Sequence, residues 1–398
     1  MDGRGPADEF SQFIRERDFA GLTQALSRRQ ASRGDAIHGF CATVMAFLER
    51  GESEPMRWLD QQTPPDTALK FYTHYAMAFT AAWEGDVDET GRRLRETVRF
   101  GLAGQGALSG EPSFHQHLYV AAQQAVYIDD TMPLTDGAIA DLPRIEEIAA
   151  RPAVTVLASC NGAYFDRFGP RFVASIGEYL PEAAIHLHVS NPTAVSRAFM
   201  GSAADTRRIT FSCDETPEDA CLFACKRLLI AHEVMRVRGS DLLISDIDVT
   251  FTEHTSSLPR LMSGQDGGLF ERRHVSPMEI CHCSLSYFRN TENALQFLSV
   301  LASYVDAKLR NQPLRMWMLD QSALFVVSRR AIMGEPAALW SGGRTFAWCN
   351  LTEAAGSELW AFQVNQVADL DAKNVLRSWD RFRPETIEQD PDGRVRVR

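Results

Sequence analysis

Asp246 and Asp248 stand one residue apart at the end of Leu242-Leu243-Ile244, a short apolar run of branched side chains. A run of this kind that ends in polar residues predicts a buried strand of a parallel sheet. Alternation along the strand sends both carboxylates to one side and packs Ile247 on the other. Two carboxylates crowded at a buried strand end repel each other unless something neutralises them. A hard divalent cation does so, since Mg²⁺ or Mn²⁺ takes one or two protein carboxylates and fills its shell with phosphate oxygens. Taken alone, an Asp-x-Asp is a solvated strand-end turn, so the surrounding elements decide.

Those elements alternate. Val154 to Ala158 reads as a first strand, stopping at Ser159-Cys160-Asn161-Gly162, and Phe165 to Leu180 as a helix. Ile185 to Val189 and Arg208 to Ser212 are further strands, Pro217 to Val237 is a long helix, and Asp241 to Ser245 is the fourth strand. Alternating β and α elements imply right-handed crossovers and a sheet covered on both faces. Open α/β sheets bind ligands beyond the carboxyl ends of their strands, which sets Ser159 to Gly162 beside Asp246 to Asp248. Further on, Gly264 to Phe270 reads as a flexible loop and Ile280 to Arg289 as a strand. Thr291 to Leu309 follows as a helix, and Leu359 to Val364 as a last strand.

Residues 1–150 read instead as helix after helix, with a clear hairpin from Asp66 to Phe100 similar to a degenerate tetratricopeptide unit. Gly101 to Gly110 carries spaced glycines but follows a helix, whereas a dinucleotide loop follows a strand, so it reads as an ordinary loop. His115 and His117 cannot share a helical face and read as surface residues. Leu142 to Ala150 reads as helical. The expected domains are a helical accessory domain over 1–150, an α/β catalytic domain over 151–382, and a loose polar tail over 383–398.

At 398 residues, 45% hydrophobic and 23% charged, the chain has an ordinary globular composition and room for two domains. A net charge of -11 argues against a nucleic-acid partner. Its only lysines are Lys70, Lys226, Lys308 and Lys373, and no Gly-x-x-x-x-Gly-Lys-Ser/Thr occurs, which excludes a P-loop. The start, MDGRGPADEF, has no secretory-signal pattern, and no run approaches the ~18 apolar residues of a membrane span. A cytoplasmic protein with reduced thiols is expected.

Together these stretches resemble a nucleotide-sugar glycosyltransferase of the GT-A fold, over roughly Val154 to Val327. Asp246-Ile247-Asp248 matches the family's DxD signature. Cys283-Ser284-Leu285-Ser286-Tyr287-Phe288-Arg289-Asn290 resembles the strand lining the sugar pocket, and Trp317-x-x-Asp320-Gln321-x-x-Leu324 resembles the Asp-Gln stretch near transferred sugar and acceptor. The resemblance implies an α/β fold with a mixed, mostly parallel sheet. It also implies a hexosyltransferase-like enzyme with Mn²⁺ or Mg²⁺ held by Asp246 and Asp248. Donor contacts would fall on Ser159, Cys160, Asn161, Arg227, Asp246 and Ser284, with Asp320 and Gln321 as catalytic residues. The donor would be a nucleotide sugar, UDP-linked, and the acceptor an unidentified protein or glycan. The family's third metal ligand, often a His after the Asp-Gln stretch, is missing, since no histidine follows His282; Asn350, Asp369, Asp371 or water could stand in. The family's Asn-x-Gly in the sugar-pocket strand is missing too.

Three other readings compete. Leu242 to Thr250 also resembles a haloacid-dehalogenase phosphatase motif, with Asp246 as nucleophile and Asp248 as general acid. That family needs a later Lys and acidic pair, which Lys308, Lys373 and Asp369-x-Asp371 match poorly. Cys281-His282-Cys283 or His186-x-His188 could touch zinc, but no second pair at zinc-finger spacing exists, and buried thiols explain the cysteines better. A non-enzymatic helical scaffold is the third.

Overall fold

The computed structural model describes residues 6–28, 40, 43–44, 46–48, 50–62, 67–108, 112–128, 132–137, 139, 142–148, 152–203, 208–217, 219–272, 275–311, 318–333, 346–355, 361–363 and 386–397. Trp317, Asp369, Asp371 and Lys373 lie outside these. The chain forms two compact units. One gathers Met1–Met132, Arg273–Ile280 and Arg381–Arg398, and the other Pro133–Arg272 and Cys281–Asp380.

The first unit is helical, built on Pro6–Arg15, Phe19–Arg28, Ser53–Gln61, Thr67–Glu84, Val87–Leu108 and Pro112–Tyr127. The expected hairpin is present. Gly85 at φ 80° ends one helix in a left-handed conformation, and Asp86 starts the next, its Oδ1 accepting from Glu89 N at 2.9 Å. Three expectations are corrected here. The glycine-rich stretch is helical as far as Leu108, because Gly101 lets helices touch: a Cβ there would lie 2.5 Å from Leu118 Cδ1. His117 is half-buried against the Tyr72 hydroxyl at 3.4 Å rather than on the surface. The tail is not loose, since Ile387–Gln389 pairs antiparallel with Val395–Val397. Gln389 Nε2 ties that hairpin to Arg95 O at 3.1 Å, and Trp83 Nε1 holds Val275 O at 2.8 Å.

The second unit is α/β. Its strands are β1 (Val154–Asn161), β2 (Ala184–Ser190), β3 (Ile209–Asp214), β4 (Asp241–Ser245), β5 (Val249–Phe251), β6 (Gly267–Glu271), β7 (Cys281–Phe288), β8 (Trp348–Asn350) and β9 (Ala361–Gln363). Seven of them form one sheet in the order β3-β2-β1-β4-β7-β6-β8, while β5 leaves it to pair with β9. The sheet is mixed and mostly parallel, β7 running against both neighbours, which is the expected fold class and is consistent with a GT-A-like architecture. β1, β2 and β4 are buried along nearly their whole length, as strands covered on both faces require, with His186 and His188 among the buried residues of β2. Phe165, Phe168, Phe172 and Ile176 on the helix Gly162–Tyr179 cover one face, each fully buried apolar side chain contributing ~1.5–3 kcal/mol. The helix Ala220–Arg238 starts on Asp219, whose side chain accepts from Leu222 N at 3.1 Å, and stops at left-handed Gly239.

Two further expectations fail in this unit. The loop read over 264–270 contributes β6, whose Gly267 and Gly268 sit against Phe346 and Leu351 with no room for a Cβ. Residues 142–148 carry no regular secondary structure, although Ile145 is buried. The helix Ala194–Ala203 was not anticipated. The described cysteines are free thiols.

Candidate active site

Asp241–Ser245 brings the chain to the carboxyl end of the sheet beside β1, with Leu157 paired to Ile244. The strand then ends. Asp246 N still bonds Ser284 O at 3.2 Å, but Asp246-Ile247-Asp248 is a turn leading into β5. Strand alternation therefore does not place the two carboxylates, which corrects that part of the sequence argument. The anchor is Ile247, buried in the core at 3% exposure, with Asp248 at 1% beside it and the Asp246 side chain a quarter exposed.

Arg227 organises the site. It is among the largest fully buried side chains, and its fork joins two acids: Nη1 donates to Asp246 Oδ1 at 2.5 Å and Nη2 to Asp320 Oδ2 at 2.9 Å. Burial opposes the guanidinium charge, but Asp246 and Asp320 outweigh it and raise its affinity for the proton. Its Nε is buried without a partner. The sequence reading named these three residues separately; the fold brings them into one contact.

Ser159 positions that arginine. Its hydroxyl donates to Phe223 O at 2.7 Å and accepts from Arg227 N at 3.0 Å, two backbone groups that pair with each other in a regular helix. Cys160 is buried, and burial followed by Asp248 pushes its thiol up. Asn161 caps the helix Gly162–Tyr179, its Oδ1 accepting from Tyr164 N at 2.8 Å. The three residues expected at the donor each have a contact inside the protein.

On the other side, Gln321 N donates to Asp320 Oδ1 at 2.9 Å, and Gln321 Oε1 is buried without a partner. Met318, just before the helix Leu319–Met333, has φ 76°, a left-handed conformation costly for this side chain. Strain at the edge of an acidic site is a recurrent mark of function. Ser284 Oγ meets His282 Nδ1 at 2.5 Å. Burial, then Arg272, lowers the His282 ring to about 4, against the opposite pull of Asp246 and Asp248.

One residue here was missed, and a second was read only as a possible zinc contact. Tyr164 donates its hydroxyl to Asp248 Oδ2 at 2.6 Å, and the His282 ring, held by Ser284, feels the charge of Asp246 and Asp248. Tyr164 lies three residues after the cap residue Asn161, a spacing that could have flagged it. Strand alternation could have set His282 on the face of Ser284.

The residues fit a metal only in one form. No group of three or more His, Cys, Asp and Glu side chains that could hold an ion is found among the described residues. Two carboxylates gripped by Arg227 and Tyr164 fit an ion that takes most of its ligands from phosphate and water. Lys308, the lysine that the phosphatase pattern would need, is buried and lies 5.5 Å from the centre of the Tyr304 ring. His186 and His188 are fully buried, hydrogen-bonded to Thr210 and Ser212.

No protein-family model matches the chain, and no curated protein matches it. Solved structures give partial likenesses. A WbbM bifunctional glycosyltransferase in its apo form is 11% identical with TM-score 0.31, covering 54% of this chain and 45% of its own. The chain thus spans under half the length of that protein. The galactosyltransferase LgtC, with donor and acceptor sugar analogues, is 13% identical with TM-score 0.32, covering 55% and 99%. The mannosyltransferase PcManGT from Pyrobaculum calidifontis, with GDP-Man and Mn²⁺, is 15% identical with TM-score 0.28, covering 67% and 70%. At such overlaps the chemistry has to be read from this chain's own residues. No described helix is long and apolar enough to cross a membrane.

Proposed function

We propose that the chain is a glycosyltransferase moving a sugar from a nucleotide-diphosphate donor, UDP-linked, to an acceptor hydroxyl on a protein or glycan. The observation that carries this reading is the contact of Arg227 with Asp246, just past β4 and two residues from buried Asp248, and with Asp320 in the first turn of the helix Leu319–Met333. In the transfer, the acceptor oxygen bonds the anomeric carbon and gives its proton to solvent. The carbon–oxygen bond to the diphosphate breaks, and its electron pair leaves with the nucleotide. Asp246 and Asp248 would hold Mn²⁺ or Mg²⁺, which when bound acts as a Lewis acid on the leaving diphosphate. Arg227 supplies fixed positive charge in a buried setting, where it costs no reorganisation as negative charge develops. Asp320, with Arg227 on Oδ2 and its neighbour's amide on Oδ1, is rigidly aimed to accept from sugar hydroxyls, and Gln321 brings a buried oxygen without a partner.

The test is calorimetric binding of UDP and GDP, with and without Mn²⁺, to the protein and to Asp248→Asn. Metal-dependent binding that disappears in the variant is expected. Binding that survives Asp248→Asn with its metal dependence intact refutes the assignment.

A further inference from the structure

We infer that His282 contacts the nucleotide donor directly, giving a hydrogen bond from Nε2–H to the diphosphate, and is not the missing third metal ligand. The inference rests on the reading proposed above. Along β7 the half-buried positions are His282 and Ser284, and the other six are buried. β4 and β7 pair Ser245 with Leu285, and the Asp246 N to Ser284 O bond carries that register one step further. The pairing ends there; His282 lies two residues from Ser284 on the same half-buried face of β7, and both carboxylates act on its ring.

The ring's proton can be assigned from its partners. Nδ1 faces two groups of Ser284, the hydroxyl at 2.5 Å and the backbone N at 3.4 Å. A backbone amide only donates, so Nδ1 is an acceptor and the hydroxyl donates as well. The proton of the imidazole is then on Nε2, which makes no hydrogen bond among the described residues. A metal ligand needs a lone pair, and in this tautomer Nε2 has none to offer. It can only meet an acceptor. The acceptors expected at an acidic turn beside Arg227 are the oxygens of a metal-bound diphosphate, and hydrogen bonds to charged oxygens are the strong ones. His282 keeps its proton throughout.

Three proteins decide this: the unaltered chain, His282→Ala and His282→Gln, the amide of Gln preserving a donor. UDP, GDP and UMP affinities are measured by calorimetry with saturating Mn²⁺, and Mn²⁺ affinity alone by electron paramagnetic resonance. We expect His282→Ala to weaken the diphosphate that binds by roughly tenfold or more, His282→Gln to recover part of this, and Mn²⁺ affinity to stay unchanged in both. Weakened Mn²⁺ binding in His282→Ala would make His282 a metal ligand and overturn the inference. So would unchanged diphosphate affinity in a variant whose melting curve matches the parent's. Ser284→Ala, which frees Nδ1, is expected to weaken the diphosphate less than His282→Ala does; equal Mn²⁺ gain and diphosphate loss would again speak for ligation. If the unaltered chain binds neither UDP nor GDP, the glycosyltransferase reading fails first and takes this inference with it.

Discussion

Replacing Arg227 by Met keeps the length of the side chain and removes the charge that joins Asp246 to Asp320. Asp246 is a quarter exposed and can turn to water, so its loss is screened. Asp320 is 7% exposed and cannot, which leaves a carboxylate buried without its cation. Removing one partner of a buried pair costs about 3–5 kcal/mol, and with only one acid stranded the lower end is expected, about 3 kcal/mol. A second substitution, Asp320→Asn in the same chain, removes the stranded charge and should return about half of that loss. Arg227→Lys should fall between, because one ammonium cannot reproduce a fork that reaches two acids. Urea unfolding at neutral pH, read by linear extrapolation, measures all three. If Arg227→Met costs less than about 1 kcal/mol, the range of a surface pair, or if the double variant is no more stable than the single one, Arg227 does not carry the site as argued.

Two further outcomes follow from contacts around that arginine and behind it. Ser159→Ala lets Phe223 O and Arg227 N pair directly, so stability should fall by no more than about 1 kcal/mol while nucleotide turnover falls by more than tenfold; parallel losses in both would make Ser159 a packing residue only. His186 is lowered to about 3, by burial first and then Arg238, so it stays neutral in the folded chain while an unfolded histidine gains a proton near 6.5. The stability it contributes is present above about pH 6.5 and is lost as pH falls toward 3, with a limiting slope of about 1.4 kcal/mol per pH unit. His186→Gln should flatten that slope in acid titrations followed by circular dichroism, and an unaltered slope would rule His186 out as its source.

How much of this was legible varies with how local the cause is. β4 runs over the residues expected, Asp241 to Ser245, because a central parallel strand must be apolar along its whole length. Asp246 stood out as a carboxylate ending an apolar run, whereas Arg227 and Asp320 were named only through the family resemblance. Glycines misled. Gly101, Gly267 and Gly268 looked like loop residues, but each marks a place where another side chain comes within about 3 Å of the missing Cβ, and such crowding depends on partners distant in sequence. Leu142 to Ala150 has helical spacing, yet residues 142–148 stay irregular while Ile145 is buried. The roles of Tyr164 and His282 were hidden for a related reason. Each depends on where the turn Asp246–Asp248 leaves the sheet, and alternation predicts a strand that continues.

The composition of the helical unit bears on how the chain is made. The last of its described α-helices ends at Tyr127, but Val275 and Ser276, which bond Trp83 and Gln124, come much later, and the hairpin of Ile387–Gln389 and Val395–Val397 later still. A ribosome adding ~5–20 residues per second needs roughly 10–50 s to cover the ~260 residues between Tyr127 and that hairpin. Throughout that interval the nascent helices wait with Arg95 O and the surface under Val395 and Val397 uncovered, while the α/β unit is still being synthesised. Chaperone dependence during translation is therefore expected to concentrate on the part of the chain that emerges first.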